Sequence, residues 1–121
     1  MKYYIAAKFE DIYRVNVVKN FLENLGHTIT HDWAAVELPK DISKKFLQVS
    51  AVHDFKGVVD ADAVIFLFLE ELEYCGALVE FGMALALQKK VTIIGHACDK
   101  CIFMNLPTIT QFDTVGEWMV V

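Results

Sequence analysis

Hydrophobic and polar positions along the chain follow two different periods. Short continuous apolar runs, typical of strands covered on both faces, recur between longer stretches with the three-to-four-residue spacing of amphipathic helices. The predicted strands are residues 3–7, 27–30, 63–69, 91–95 and 108–112. This alternation predicts parallel strands joined by crossover helices. The expected fold class is therefore α/β, an open five-stranded parallel sheet flanked by helices in a Rossmann-like or flavodoxin-like three-layer sandwich.

The predicted helices have recognisable ends. Residues 11–25 carry an apolar stripe, and Gly26 follows as an expected C-cap. Asp41 has the character of an N-cap and is expected to open a second helix that ends near Val59. Asp113 is expected to cap a last short helical turn. The helices thus fall between the predicted strands, as crossover connections require.

A further helical stretch, residues 76–87, contains one ionisable side chain, Glu80, among apolar residues and glycines. Its helical neighbours at three and four positions in either direction are all glycine, alanine or methionine, so no polar face surrounds the carboxylate. A buried carboxylate is costly unless it is hydrogen-bonded, paired or directed at a ligand cavity. Glu80 is therefore the leading functional candidate. The alternative is a solvated glutamate near a helix start, where acids are common.

Length, charge and composition limit the function classes. The 121 residues fit a single domain, residues 1–121, with one core. The net charge is -5 and no basic run exceeds a Lys-Lys pair, so we expect a small-molecule partner and no nucleic acid polymer. No apolar run reaches the roughly eighteen residues that span a bilayer, and the first residues lack a signal-peptide cleavage site. A cytoplasmic location without a membrane partner is predicted.

Three cysteines, an odd number, argue against a disulfide scaffold and fit a reducing compartment. Cys98 and Cys101 form a CxxC motif with His96 just before it, which could supply three zinc ligands. A structural zinc site needs four ligands, however, and Cys75 lies beyond a predicted helix and strand. Reduced loop thiols are the favoured interpretation, and we expect no metal and no other cofactor.

The predicted topology places the chemistry at one edge of the sheet. Open parallel sheets bind ligands at the carboxyl ends of their strands, where the strand order reverses. Residues 7–9, residues 70–75 and the start of the Glu80 helix are expected to surround one crevice there. Gly76 would let a ligand approach the backbone, and the free N–H groups of the first helical turn would suit an anion. A flexible loop end is the alternative explanation for this glycine.

Three sequence elements occur in a distinctive order. They are the segment YIAAKF at residues 4–9, Asp54 ahead of the strand entry ADAVI at residues 61–65, and the element G-x-x-x-E-F-G-x-A at residues 76–84. Together they resemble the nucleoside 2-deoxyribosyltransferase family, including the related 2-deoxynucleoside 5′-monophosphate N-glycosidases. The resemblance extends over roughly residues 3 to 95.

This resemblance implies an enzyme that cleaves the N-glycosidic bond of a 2-deoxynucleoside or its 5′-monophosphate. Glu80 would attack the anomeric carbon and form a covalent glycosyl-enzyme, which another base or water resolves. Asp54 matches the aspartate assigned to the leaving base, and Tyr4 matches the tyrosine that orients the nucleophile. A retaining double displacement does need a carboxylate held close to an oxocarbenium-like centre. A solvated helix acid and a half-buried strand aromatic are the respective alternatives for Asp54 and Tyr4.

The resemblance also implies partners and substrate-binding positions. The partners would be a nucleoside or nucleotide and a free nucleobase, and the subunits would complete each other's pockets. The substrate-binding candidates are Ala6, Lys8, Asp62, Gly76 and Asn105, with Asn105 supplied to the neighbouring subunit. Lys8 and Arg14 follow the first strand and are candidates for a 5′-phosphate. Asp62 also suits a simpler role at the end of the second helix.

Two other function classes stay open at this point. The chain could be a nucleotide-binding or sensing module without turnover, or an N-glycosidase acting on another ribosyl nucleotide such as a dinucleotide. The combination of Glu80, Asp54 and Tyr4 favours an enzyme, because a pure binding site gains nothing from a buried, unpaired carboxylate. The all-round apolar helix at residues 76–87 also predicts a homo-oligomer, most simply a homodimer, since one sheet face cannot cover it.

Overall fold

Five parallel strands form a single sheet. The computed structural model describes residues 1–121. The strands are β1 (Lys2–Ala6), β2 (Thr28–Ile29), β3 (Ala63–Leu67), β4 (Lys90–Ile94) and β5 (Thr110–Phe112). They lie in the order β2-β1-β3-β4-β5, and every neighbouring pair is parallel. The α/β fold class predicted from the alternating periods is confirmed.

Three helices connect strands of this sheet, and a fourth follows the last strand. They are α1 (Ile12–Asn24), α2 (Lys44–Asp60), α3 (Cys75–Ala86) and α4 (Val115–Met119). Short 3-10 turns occur at Phe9–Asp11, Trp33–Ala35 and Ile102–Asn105. None of the helices combines the length and the apolar character that crossing a bilayer would require.

The end of α1 agrees with the sequence. Gly26 has a φ of 90°, a left-handed conformation that suits glycine. The N–H of Gly26 donates to the carbonyl of Glu23, and the N–H of His27 donates to the carbonyl of Leu22. This pair of bonds is a Schellman motif, in which a glycine satisfies carbonyls that the helix leaves free. Gly26 is therefore confirmed as the residue that ends the first helix.

The starts of α2 and α4 differ from the sequence expectation. The N-cap of α2 is Ser43, whose hydroxyl accepts the N–H of Phe46, so the prediction of Asp41 was wrong. The N-cap of α4 is Thr114, which accepts the N–H of Glu117, and not Asp113. In both places a hydroxyl residue closer to the helix has the spacing that reaches the third helical N–H.

The two faces of the sheet carry separate parts of the core. Alternate residues of β3 point to opposite faces, and all five are buried, which explains the continuous apolar run. On one face, Val64 and Phe66 pack with residues of α2 and α3, and Tyr4 belongs to this same cluster. On the other face, Ile65 and Leu67 pack with α1. Because the Tyr4 side chain points toward α2 and α3, its phenol lies next to Glu80 of α3.

Two glycines permit close approaches that a side chain would prevent. A Cβ atom at Gly95, where φ is 106°, would lie 2.1 Å from the carbonyl oxygen of Phe68. A Cβ atom at Gly57 of α2 would lie 2.7 Å from two ring carbons of Tyr4 and 3.1 Å from the Cβ atom of His31. The helix α2 therefore rests directly on the Tyr4 ring.

Candidate active site

A cavity of about 520 Å³ opens at the carboxyl ends of β1 and β3. The strand order reverses between these two strands, so the cavity occupies the position where open α/β sheets bind ligands. Its walls come from the loop after β1, the middle of α2 and the first half of α3. The lining residues are mostly apolar, and the polar exceptions include Tyr4, Lys8, Asp54 and Glu80.

Glu80 and Tyr4 meet in this cavity. The Tyr4 hydroxyl donates a hydrogen bond to Oε2 of Glu80 at an O···O distance of 2.5 Å. Burial raises the pKa of Glu80 from its ordinary 4.5 to about 7; the Tyr4 hydrogen bond opposes this rise, and the charge of Asp54 adds to it. Near neutral pH the free protein therefore holds Glu80 as a mixture of acid and carboxylate.

Tyr4 serves as a hydrogen-bond donor only. Its side chain is 1% exposed. Burial raises its pKa above the ordinary value, and the negative charges of Glu80 and Asp54 raise it further, so the phenol keeps its proton. The phenol engages Oε2, and no hydrogen bond from the protein reaches the other oxygen of Glu80. That second oxygen is the one available to a ligand.

Asp54 lines the same cavity from α2. Its Oδ1 atom lies 3.4 Å from Nε2 of His31. Burial raises the pKa of Asp54, while the positive charge that His31 and His53 can carry lowers it. The cavity therefore holds two carboxyl groups in different surroundings, one bonded to a phenol and one facing imidazoles. Such differences allow two acids to take different roles in one reaction.

The substrate-binding candidates separate into two groups. Lys8 and Gly76 line the cavity, and Nζ of Lys8 donates to the backbone carbonyl of Glu73. Ala6 is fully buried in the core beneath the cavity and does not form part of its wall. Arg14 does not line the cavity either, and its guanidinium pairs with Asp11 and Glu70.

Asp62 and Asn105 lie away from the cavity. Asp62 immediately precedes β3, at the amino end of the strand, whereas the cavity is at the carboxyl end. Its carboxylate accepts the backbone N–H of Lys2 at 2.9 Å and so ties β1 to the entry of β3. Asn105 ends a 3-10 turn and donates to the carbonyl of Ile102 at 3.3 Å. Within one chain, neither side chain reaches Glu80.

Sequence reasoning included Phe9, within residues 7–9, but did not find Trp33, Phe55 or the histidines. Phe9, Trp33 and Phe55 line the cavity, and the Trp33 indole is held in place because Nε1 donates to the carbonyl of Ile5 at 2.7 Å. Trp33 and His31 belong to the segment that follows β2. Both residues follow the carboxyl end of a predicted strand, and this position alone could have marked them as candidates for the cavity wall.

The region around the CxxC motif has a different arrangement from a zinc site. His96 directs Nδ1 to Asp99 at 2.7 Å and Nε2 to Asp113 at 2.5 Å. These two carboxylates raise the pKa of His96. All three cysteines are free thiols. No group of His, Cys, Asp or Glu side chains has the arrangement of a metal site.

The raised pKa of Glu80 predicts a pH-dependent stability difference. The folded-state pKa of about 7 exceeds the ordinary 4.5; folded protein thus binds this proton more tightly, and stability is lost as pH rises between these values. Glu80→Gln cannot lose a proton and keeps an acceptor for Tyr4. We expect its free energy of unfolding, relative to wild type, to rise by about 3 kcal/mol between pH 4.5 and pH 8.

Urea unfolding across this pH range measures the difference. Glu71→Gln is the matched control, because Glu71 is exposed in the loop before α3. A constant difference between Glu80→Gln and wild type from pH 4.5 to pH 8 would show that burial does not perturb this carboxyl group.

Comparisons with known proteins show which solved structures share this fold. No protein-family model and no curated protein sequence matches the chain. Among solved structures, a 2-deoxyribosyltransferase from the psychrotolerant bacterium Bacillus psychrosaccharolyticus is similar over 100% of this chain and 92% of its own, with a TM-score of 0.80 and 18% identity. A CMP N-glycosidase from Clostridium botulinum is similar over 99% of this chain and 96% of its own, with a TM-score of 0.72 and 17% identity. The chain therefore shares one fold with a deoxyribosyltransferase and an N-glycosidase.

Proposed function

We propose that this protein is an enzyme that cleaves the N-glycosidic bond of a 2-deoxynucleoside or its 5′-monophosphate. The deoxyribosyl group would pass to Glu80 and then to another nucleobase or to water. The observation that carries this proposal is the hydrogen bond between Tyr4 and Glu80 in a cavity that Asp54 also lines. The fold shared with a 2-deoxyribosyltransferase and a CMP N-glycosidase supports it.

The first chemical step assigns Glu80 as the nucleophile. Its free oxygen attacks C1′ of the sugar, and the C1′–N bond breaks with its electron pair moving to the base. Attack requires the carboxylate form, which Tyr4 stabilises by its hydrogen bond and which burial disfavours. An acceptor base or a water molecule then attacks C1′ and releases Glu80. Two inversions at C1′ give net retention.

We assign Asp54 to the departure of the base. A nucleobase leaves more readily when a proton or a strong hydrogen bond compensates its developing negative charge. Burial raises the pKa of Asp54, so this group holds a proton to higher pH than an exposed aspartate does. We therefore assign Asp54 as the group that faces the base, with the sugar between it and Glu80.

The sugar and any 5′-phosphate would lie against the start of α3. Gly76 adds no side chain there, and the first N–H groups of a helix favour an anion. Lys8 reaches the same wall and would contribute a positive charge. Ala6 and Asp62 receive no substrate contact in this arrangement, because neither lines the cavity. A small molecule is the substrate, and no cofactor takes part in the assigned steps.

One alternative substrate class is supported by a specific observation. The Clostridium botulinum structure with this fold is a CMP N-glycosidase, and CMP is a ribonucleotide. A ribonucleoside 5′-monophosphate, or another ribosyl nucleotide, is therefore the second candidate. A binding or sensing module without turnover is less well supported, because the raised pKa of Glu80 reflects a cost that ligand binding alone does not require.

A substrate panel tests the proposed reaction. We expect base release from at least one deoxynucleoside or deoxynucleoside 5′-monophosphate, and Glu80→Gln should lower the rate by at least about a thousandfold, because the covalent step loses its nucleophile. Incubations with and without a free acceptor base, followed by chromatography, separate transfer from hydrolysis. The exposed-site variant Glu71→Gln should retain wild-type rates.

Near-normal turnover in Glu80→Gln would remove Glu80 from the mechanism. Base release only from ribonucleotides would show that the substrate belongs to the second class. Binding of panel members without base release would show that the protein is a binding module and not an enzyme for these compounds.

Asp54→Asn tests the assignment to the leaving base. Because general acid help is worth on the order of 10² to 10⁴ in rate, we expect a loss in this range for a natural base in single-turnover measurements. The loss should be much smaller for a substrate whose leaving group needs no protonation. A matched control is Asp60→Asn at the exposed end of α2. Equal losses on both substrates would rule out the proton-donor role.

We also propose a homodimer in which α2 and α3 contribute to the interface. These helices pack together and both expose large apolar side chains to solvent. The exposed residues are Leu47, Val49, Val52, Phe55 and Val59 on α2 and Leu78 and Val79 on α3. In such a dimer Asn105 of one subunit would be available to the other. The cytoplasmic location and the single-domain assignment of residues 1–121 stay predictions.

Sedimentation measures the oligomeric state. We expect a dimer at micromolar concentration, and Val52→Lys should shift the equilibrium toward monomer because a charge would be buried at the interface. Tyr13→Lys on α1 is the control, since Tyr13 is also highly exposed but lies on the opposite face of the sheet. A monomeric wild-type protein would contradict the dimer and the role of Asn105.

A further inference from the structure

A second cavity lies behind Asp54. It has a volume of about 310 Å³ and shares Phe9, Trp33 and Asp54 with the cavity that holds Glu80. Its other polar wall residues are two imidazoles and a hydroxyl, from His31, His53 and Ser50. Asp54 therefore separates Glu80 from two histidines, His31 and His53, that have no role in the proposed cleavage.

The histidines are close enough to act on Asp54. Nε2 of His31 lies 3.4 Å from Oδ1 of Asp54. The His31 and His53 rings are tilted at 57° with their centroids 5.4 Å apart. The His31 side chain is 22% exposed. A protonated His31 would form an ion pair with Asp54 that water only partly screens.

Backbone and hydroxyl hydrogen bonds of the neighbouring residue hold His31 in this position. The preceding residue, Thr30, donates from its hydroxyl to the carbonyl of Gly57 at 2.7 Å and from its N–H to the carbonyl of Tyr3 at 2.9 Å. Gly57 lies three residues after Asp54, on the same face of α2. A side chain at Gly57 would crowd the Cβ atom of His31. The loop after β2 is thus anchored to the helix that carries Asp54.

Other charged groups around this pair already have partners. Asp32, next to His31, forms an ion pair at 2.8 Å with Lys19 of α1. Tyr4 of β1 donates to Glu80 of α3. On α2 itself, the remaining titratable groups that face His31 are His53 and Asp54. Asp54 is therefore the carboxylate available to the histidines.

We propose that His31 is a positioning residue that supplies, through Asp54, the proton taken up by the leaving base. This inference rests on the proposed glycosidic cleavage. Nε2 of His31 gives its proton to the Asp54 carboxylate, so that the imidazolium becomes neutral and Asp54 becomes the acid. As the C1′–N bond breaks, its electron pair goes to the base, the base takes that proton from Asp54, and Glu80 forms the new bond to C1′. The step conserves charge, and Asp54 ends as the carboxylate it was at the start.

The chemistry of the two groups explains why such a pair is useful. Imidazole changes charge near neutral pH, whereas a lone aspartate releases its proton at lower pH. A coupled pair of groups retains one exchangeable proton over a wider pH range than the aspartate alone. Protonated His31 also orients Asp54, because the ion pair restrains its carboxyl group at the boundary between the two cavities.

His31→Gln tests the proposal by kinetics. Single-turnover rates are measured against pH with a natural base and with a leaving group that needs no protonation. At pH 7 we expect a loss of about tenfold or more for the natural base and little change for the activated substrate. The alkaline limb of the natural-base profile should move to lower pH, because Asp54 is then the sole acid. His27→Gln is the control, since His27 contacts the amino terminus instead.

A second measurement does not depend on turnover. Carbon-13 NMR of the Asp54 carboxyl group in the ligand-free protein follows its titration in wild type and in His31→Gln. The pKa of Asp54 should be higher in the variant, because burial then acts without the opposing imidazolium charge of His31.

The outcomes separate this proposal from the proposed function. An unchanged Asp54 titration would overturn the pairing with His31 even in an active glycosidase. An unchanged pH profile in His31→Gln would overturn the proton supply. If the titration moves as expected but wild type releases no base from any substrate, the proposed function fails and the proton-supply step fails with it.

Discussion

The hydrogen bond between Tyr4 and Glu80 is the interaction on which the geometry of the cavity depends. It joins a central strand to the third helix across the layer that would otherwise be wholly apolar. The phenol supplies the only protein hydrogen bond to the carboxyl group, so its direction fixes which oxygen remains available. Gly57 allows α2 to rest on the same ring, and this contact brings Asp54 to the opposite wall.

Burial acts on this carboxyl group in two opposing ways. In the proposed reaction, removing Glu80 from water would strengthen its interaction with the sugar, but the same desolvation favours the protonated form, which is not a nucleophile. The hydrogen bond from Tyr4 reduces this conflict without removing it. A site that places an ionisable group in an apolar layer is therefore less stable than a purely apolar one, as is common where stability and activity compete.

The sequence contained most of the fold and part of the site. Continuous apolar runs identified the strands, and Glu80 was conspicuous because its helical neighbours are all small or apolar. Tyr4 and Asp54 became candidates only through the family resemblance, since no periodic pattern distinguishes a phenol in a strand or an acid on a helix. Asp62 lies at the amino end of β3, opposite the ligand-binding edge, which agrees with the simpler role that its position just before a strand suggested.

The remaining elements of the site depend on tertiary contacts. His31 and Trp33 belong to a segment without helical or strand period, so only the folded chain shows that Thr30 and Ile5 anchor it beside α2 and β1. Helix starts were misjudged by one or two residues because several polar residues precede each helix. Local sequence does not decide which of them reaches the third N–H.

The edges of the sheet have a consequence for how copies of this chain can meet. The edge strands β2 and β5 contain two and three residues, respectively. Edges this short offer few free N–H and C=O groups to a strand from another molecule, which limits continuous intermolecular sheets and the fibres that grow from them. Any self-association of this chain would therefore rely on side-chain contacts between helices, and a partner that binds by adding a strand would find little backbone to pair with.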